Sequence, residues 1–456
     1  MKSLLKYAFL FVLVLNLACT NSPKENYQLV IANVSLFDSN TGKIIPRQTV
    51  FVQQGRIRKI ETTNASHLGL ESAIDAKGKL LTPGFIDVHN HLNFTFGDSI
   101  ATVTSQEFSA YRAVLSAAYL PYGVTTVRSA GGRESTLPME LSWTQSEEDY
   151  IDYYPTGGAF VSLNTNFYNH IFVPDTASVN QKIRDYYDSG VRHIKAYGLL
   201  GAPQLKAAVE TAGKLNMNIF GHIENSMISI DSATTFGLQN LEHVKTLFLE
   251  VIRNYERKGM DLSMLPEDDY ENWRFREYEI FNMLGTQDSS ILGLVKTLQK
   301  RKVSITPTIH IYAHPIELTE EQLQMPIYNG DKLNWTGDKL ERAQKGYGEL
   351  AKLSLLLHQN GVRLATGSDT FDPGKAILSE MLLLQKAGIP MNEVLQIATL
   401  NSAKSIARDS IYGSLEVDKK AHMILFEKNP LENPLHLIAE KTIIKDGAVW
   451  NKKKHP

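Results

Sequence analysis

Pro83-Gly84-Phe85-Ile86-Asp87-Val88-His89-Asn90-His91 is an apolar run that ends in two histidines spaced i, i+2. On a β-strand successive side chains alternate faces, so His89 and His91 point the same way. Two imidazoles on one face at a strand's end can clamp one metal ion. An isolated His-x-His pair also occurs on ordinary surface strands, so the rest of the chain has to decide between the two.

Four later apolar runs also end in a polar residue able to serve such a site. Val191–Tyr197 carries Lys195, Met217–His222 ends in His222, Leu238–His243 ends in His243, and Val362–Asp369 ends in Asp369. Each follows a stretch that reads as a helix. Any one of these histidines alone is an ordinary core or capping residue, and Asp369 alone is an ordinary turn residue. All of them at the ends of alternating strands are what the C-terminal face of a (β/α)8 barrel requires, because that face gathers the ends of its strands into one site.

Eight strands can be followed, near 83–89, 123–128, 157–163, 191–196, 217–222, 238–243, 303–309 and 362–367. Helices are expected at 105–120, 176–189, 203–215, 291–301, 349–360 and 376–387, with Pro203 as a first-turn residue and Gly361 as a stop. The acidic and aromatic stretch Trp143–Tyr154 fits neither pattern. The fold class is therefore α/β, a TIM barrel.

This pattern resembles the amidohydrolase superfamily of metal-dependent hydrolases, in its prolidase and imidazolonepropionase-like branch. The resemblance rests on Pro83–His91, Gly123-Val124-Thr125-Thr126-Val127-Arg128, Ile194-Lys195, Gly221-His222, Glu242-His243 and Thr366-Gly367-Ser368-Asp369, and covers residues 28–450. It implies two divalent metal ions, zinc being expected. His89 and His91 would hold the more buried ion, and a carboxylated Lys195 would bridge the pair. His222 and His243 would hold the second ion, with Asp369 contacting the first and carrying protons. Two departures stand out. Ser129 follows the arginine where many relatives have aspartate, which leaves the substrate class open. The closing segment reads Lys419-Lys420-Ala421-His422 instead of Gly-Lys-x-Ala-Asp.

The chemistry follows from the residue types. Imidazole and carboxylate suit zinc and similar ions. Such ions lower the pKa of bound water and polarise a carbonyl, and two can share a bridging hydroxide. Asp369 is the only acid at the end of a late barrel strand, so it is the candidate to take the water's proton and pass it to a leaving amine. A lysine serves only with a depressed pKa or after carboxylation.

The function expected is hydrolysis of C–N bonds in small peptide-like or cyclic amides, in the manner of a dipeptidase or cyclic amidase. Alternatives are an ester or lactone hydrolase on the same site, and a metal-binding surface lipoprotein without catalysis. Substrate contacts are expected from Arg128 and Tyr197, which could meet a carboxylate, and from His170 and His310; His314 is a further candidate. Two long insertions, 246–290 and 311–348, are rich in aromatic residues. They are expected either to cover the site or to pack on the barrel or on a second copy of the chain in a homo-oligomer.

The flanks alternate apolar and polar residues. Residues 27–82 and 411–456 each have too few strands alone, so they are expected to pair into one small discontinuous β-sandwich beside the barrel of residues 83–410. Gln54-Gly55 marks a hairpin turn within it. A chain of 456 residues with 43% hydrophobic content can fill these cores, and a net charge of −2 leaves no footprint for nucleic acid. Residues 1–18 read as a signal peptide, too short in its apolar part to span a membrane. The single cysteine, Cys19, follows directly and is the expected lipidation site, with 19–26 as tether. That implies a lipid-anchored protein of the bacterial cell envelope, facing the periplasm or the membrane surface; the alternative is an ordinary secreted protein.

Overall fold

The computed structural model describes residues 26–451, apart from 166, 225–226, 264, 266–268 and 320–331. The signal segment, Cys19 and nearly all of the tether lie outside the described residues. Among the described residues no helix is long and apolar enough to cross a membrane.

The chain forms a (β/α)8 barrel with a β-sandwich built from its two ends. The parallel barrel strands are Phe85–Asn90, Val124–Ser129, a third in two pieces, His193–Tyr197, Asn218–His222, Asn240–Glu242, Ser304–Thr306 and Arg363–Leu364. The first and last strands close the ring. The Val88 amide donates to Thr366 O at 2.9 Å, and the Asp369 amide to His89 O at 2.9 Å. Gly367 makes this closure possible, since a Cβ there would lie 2.6 Å from Thr306 Cγ2 and 2.7 Å from His89 Cβ.

The third strand begins earlier than its sequence suggests. Asp152–Tyr154 pairs with Val124–Ser129, and after Pro155-Thr156-Gly157-Gly158 the piece Ala159–Val161 pairs with His193–Tyr197. Proline offers no ladder donor and Gly157 sits at φ 73°, so the strand breaks there. An extra short strand, His170–Phe172, pairs on the outer side of Ala159–Val161. The unassigned stretch Trp143–Tyr154 follows a short helix, Leu137–Ser142, and ends in the first half of this broken strand.

The helices lie close to their expected places. Thr176–Ser189 ends at Gly190, whose φ of 107° suits a left-handed cap. Ala202–Lys214, Ser289–Arg301 and Pro373–Lys386 differ by a few residues from their sequence patterns. Among their described residues the two insertions are largely helical. Lys245–Arg257 and Tyr270–Leu284 fill the first, and the helix Gly337–Gln359 starts well inside the second.

The sandwich is one sheet in the order 448–449, 441–445, 423–426, 80–83, 29–38, 43–53, 56–62. Met423–Phe426 pairs antiparallel with Leu80–Pro83, and this pairing joins the two ends of the chain. The period of two decides what each residue packs on. Leu81, Met423, Leu425 and Ile444 enter the sandwich core, whereas Leu80, Ile424, Phe426 and Ile443 pack into the large barrel core. Each such side chain contributes about 1.5–3 kcal/mol on burial. Gln54 (φ 53°) and Gly55 (φ 68°) form the expected two-residue hairpin turn, and Asp446-Gly447 forms another.

Candidate active site

The strand-end residues singled out above converge. The ligating atoms of His89, His91 and Asp369 all lie within 4.8 Å of one another, a spacing one ion can bridge. Asp369 Oδ1 is 3.4 Å from His89 Nε2 and 3.7 Å from His91 Nε2, and Oδ2 is 3.7 Å from His243 Nδ1. The ring of His243 lies 4.6 Å from that of His89 and 4.5 Å from that of His222. Lys195 is buried on the same floor, with Nζ 5.0 Å from the Phe220 ring.

The hydrogen-bond partners assign the proton on each imidazole. His89 Nδ1 donates to Glu242 Oε2 at 2.5 Å, and His91 Nδ1 donates to Gly131 O at 2.7 Å. His222 Nε2 donates to Glu224 Oε2 at 3.2 Å. Thr308 Oγ1 gives its own proton to Pro307 O, so it accepts from His243 Nδ1 at 2.8 Å. Each ring therefore commits one N–H and keeps a lone pair on the other nitrogen. Burial, together with neighbouring cations, holds His91 down at about 4 and lowers both His222 and His243, whereas His89 is raised, because Asp369 and Glu242 outweigh its burial. Neutral imidazoles are what metal ligation needs. Burial pushes the other way on Asp369, but His89, His91 and Lys195 outweigh it and keep the carboxylate ionised. Donor types and spacing thus fit a divalent ion.

Lys195 is lowered to about 8, chiefly by burial and further by Arg128, against the opposing pull of Glu242 and Asp369. Backbone strain gathers at the same place. His243 (φ 65°), Thr308 (φ 51°) and Asp369 (φ 46°) all adopt the left-handed region, which costs a non-glycine residue of order 1–3 kcal/mol.

Two expected substrate contacts are corrected by the structure. Arg128 does not reach the cavity. It is fully buried, donates from Nη2 to Glu242 Oε1 at 2.7 Å and from Nε to Val88 O at 2.8 Å, and stacks 3.5 Å from the Phe220 ring centroid. An arginine at a strand end can turn behind the ligands when a buried carboxylate waits there. His310 is also fully buried, with Nδ1 2.8 Å from Ser379 Oγ and its amide donating to Glu380. His314 stacks on it, 5.6 Å between centroids, and does not line the cavity either. Tyr197 and His170 do line it. Their rings are 4.8 Å apart, and Tyr197 lies 5.0 Å from His222.

The cavity above the ligands has a volume of about 540 Å³. Its far wall comes from the first insertion, through Tyr270, Trp273, Arg274, Arg276 and Glu277 of the helix Tyr270–Leu284. A second hollow opens beside it, lined by Asp98, Arg133 and Leu199 and sharing Phe167, Tyr168, His170, Tyr197, Glu224 and Arg253 with the first. The sequence pattern does not mark Glu224, Glu242, Lys245 or Arg274 as site residues. Glu242 carried one signal, a carboxylate on a buried barrel strand, which needs a buried cation partner.

A second group of possible ligands, Asp152, His422 and Asp446, lies where the barrel meets the sandwich. Lys445 already reaches Asp152 at 2.8 Å and Asp446 at 2.5 Å, and Lys420 reaches them at 3.2 and 3.1 Å. Two ammonium groups supply the positive charge there, so the cluster is an ion-pair network that ties the two parts together.

Comparisons with known proteins give the family and agree with the fold. The Amidohydrolase family model matches residues 80–449. An imidazolonepropionase of Brevibacillus brevis is 23% identical, over 90% of this chain and 91% of its own length. A 5'-deoxyadenosine deaminase of Methanobrevibacter smithii is 20% identical, over 84% of this chain and 80% of its own. Among solved structures, a Xaa-Pro dipeptidase with methionine bound in its active site superposes with a TM-score of 0.63 at 17% identity. It covers 93% of this chain and 99% of the other.

Proposed function

Because the chain belongs to the amidohydrolase family, we propose that it hydrolyses a C–N bond in a small peptide-like or cyclic amide, at a centre of two divalent ions, zinc in the first instance. The reading is carried by one observation. Four imidazoles each spend one N–H on a neighbouring acceptor and keep a lone pair around a common cavity, and three of them flank Asp369.

His89, His91 and Asp369 would hold the first ion, and His222 and His243 the second, with Lys195 between them. Such ions supply an activated water and polarise the substrate carbonyl. Glu242 fixes His89 so that Nε2 faces the centre. The Asp369 carboxylate accepts the attacking water's proton and returns it to the leaving nitrogen, which must be protonated before it departs. Lys195, lowered to about 8, is neutral far more often near neutral pH than an ordinary lysine. A neutral amine adds to carbon dioxide with loss of one proton and gives the anionic carbamate that a bridging role requires. Tyr197 and His170 line the same cavity and would meet the substrate beside His222.

The test is a metal count on zinc-supplemented protein, followed by a panel of dipeptides, cyclic amides and lactones. Close to two ions per chain and turnover confined to amides are expected. A reproducible count near one would overturn the bridging lysine, and a preference for lactones would overturn the C–N assignment. Attachment to the bacterial envelope through a lipid on Cys19 remains part of the proposal.

A further inference from the structure

The helix Tyr270–Leu284 brings Arg274 into the wall of the cavity beside Lys245, with Glu277 between them and Glu224 the next carboxylate near Lys245. Glu277 Oε1 accepts from Lys245 Nζ at 2.9 Å, and Oε2 accepts from Arg274 Nη1 at 3.3 Å and from Tyr312 OH at 2.6 Å. One carboxylate thus faces two cations, and all three side chains are at least nine-tenths buried. Arg274 is held loosely. Its second contact, to Tyr270 OH, is also 3.3 Å, and its Nε is buried with no hydrogen-bond partner among the described residues. The guanidinium is caged by aromatic rings, 4.5 Å from the centroid of Tyr312 and 4.9 Å from that of Trp273. Lys245 follows His243 by two residues, and both cations line the cavity that holds the strand-end ligands.

Two buried cations that share one hydrogen-bonded carboxylate are costly unless something further answers them, and an orphaned arginine donor asks for an acceptor. The group that answers both is an anion arriving with the ligand. A carboxylate fits a planar guanidinium through paired N–H donors, and aromatic walls exclude the water that would screen the contact. We propose that Arg274 and Lys245 form the subsite for a carboxylate on the substrate, so that the protein selects amides bearing a free acid over their neutral analogues. The anion-binding role expected of Arg128 thereby passes to the capping helix. The proposal rests on the amidase reading for the word substrate, but the subsite itself is a matter of binding.

The test compares binding of N-acetylglycine and N-acetylglycinamide to zinc-loaded protein by titration calorimetry. The two probes differ only in the charged terminus. The acid is expected to bind at least tenfold more tightly, and Arg274→Met should bring the ratio to within threefold. Lys245→Met, on a different helix, should also shrink it and covers the case in which the arginine variant fails to fold. Arg274→Lys, which keeps the charge but loses the fork, should fall between wild type and Arg274→Met. Equal affinities in the wild type overturn the subsite. A preference that survives both Met variants does so too, since the metal ions would then be holding the acid. Absence of amide turnover in the panel would remove the proposed reaction while leaving this ratio intact.

Discussion

His89 and Glu242 lie 2.5 Å apart, with the imidazole donating from Nδ1 to a carboxylate that also holds Arg128. Burial alone would raise Glu242, but His89 and Arg128 hold it down at about 2, so it remains an acceptor throughout the working pH range. The pair joins strands one, two and six behind the ligands.

Glu242→Gln keeps the shape but replaces the obligatory acceptor with an amide that can turn either way. Metal affinity or turnover should fall by about 10–100-fold, the usual effect of losing a carboxylate behind a ligating histidine. Zinc titration with a competing chelator measures it, and an unchanged affinity would mean that His89 is oriented by its packing alone.

Asp369→Asn removes the acceptor for the water's proton. Turnover of the best amide should drop by about 10²–10⁴-fold, the range for a general acid–base group. Near-normal turnover in single-turnover kinetics would assign the proton transfer to another residue.

The network of Asp152, Lys445, Lys420 and Asp446 should set acid stability. Burial opposes ionisation of Asp152, but Lys445, His422 and Lys420 win and hold it below its ordinary 3.8; Asp446 is lowered likewise. A carboxyl lowered in the fold contributes stability in full above the unfolded value and loses it as pH falls toward the folded one. Asp446→Asn should therefore destabilise most near neutral pH, and the gap from wild type should close as the pH drops below about 4. Lys445→Met, which leaves buried carboxylates short of a partner, should cost about 3 kcal/mol at neutral pH. Denaturant unfolding at a series of pH values checks both, and a gap that does not change with pH would contradict the linkage.

Cys19→Ser should move the protein from the membrane fraction to the soluble fraction of cells, or leave it unprocessed. Mass spectrometry of the mature N-terminus decides the matter, and an unmodified Cys19 in soluble wild-type protein would refute the anchor.

Much of the barrel is legible in the sequence because a strand that ends in a ligand announces both its period and its direction. His89, His91, Lys195, His222, His243 and Asp369 are legible in this way, and all six line one cavity. What stays hidden depends on partners far apart in the chain. Arg128 reads as a residue at the cavity mouth until Glu242, 114 positions later, turns it inward. The third strand is obscured by Pro155 and the Gly157-Gly158 pair, which break its pattern at the point where its neighbour changes. The helix Tyr270–Leu284 carries aromatic and charged residues all round, because one side packs on the barrel and the other lines the cavity; no single amphipathic stripe marks it.

The joint between Leu80–Pro83 and Met423–Phe426 has a consequence for how the molecule is made. Its two halves are separated by the whole barrel, so the N-terminal strands wait with an open edge until the last strands arrive. At about 5–20 residues per second of synthesis, that interval is of the order of tens of seconds. Contacts this distant in sequence also slow the final step of folding. Loss of the last thirty residues would take away Lys441–Lys445 and Ala448–Val449 and leave Met423–Phe426 as a bare edge strand, ready to pair with another chain. Clipping at the extreme C-terminal side is therefore expected to show itself first as aggregation, with the reactive centre still in place.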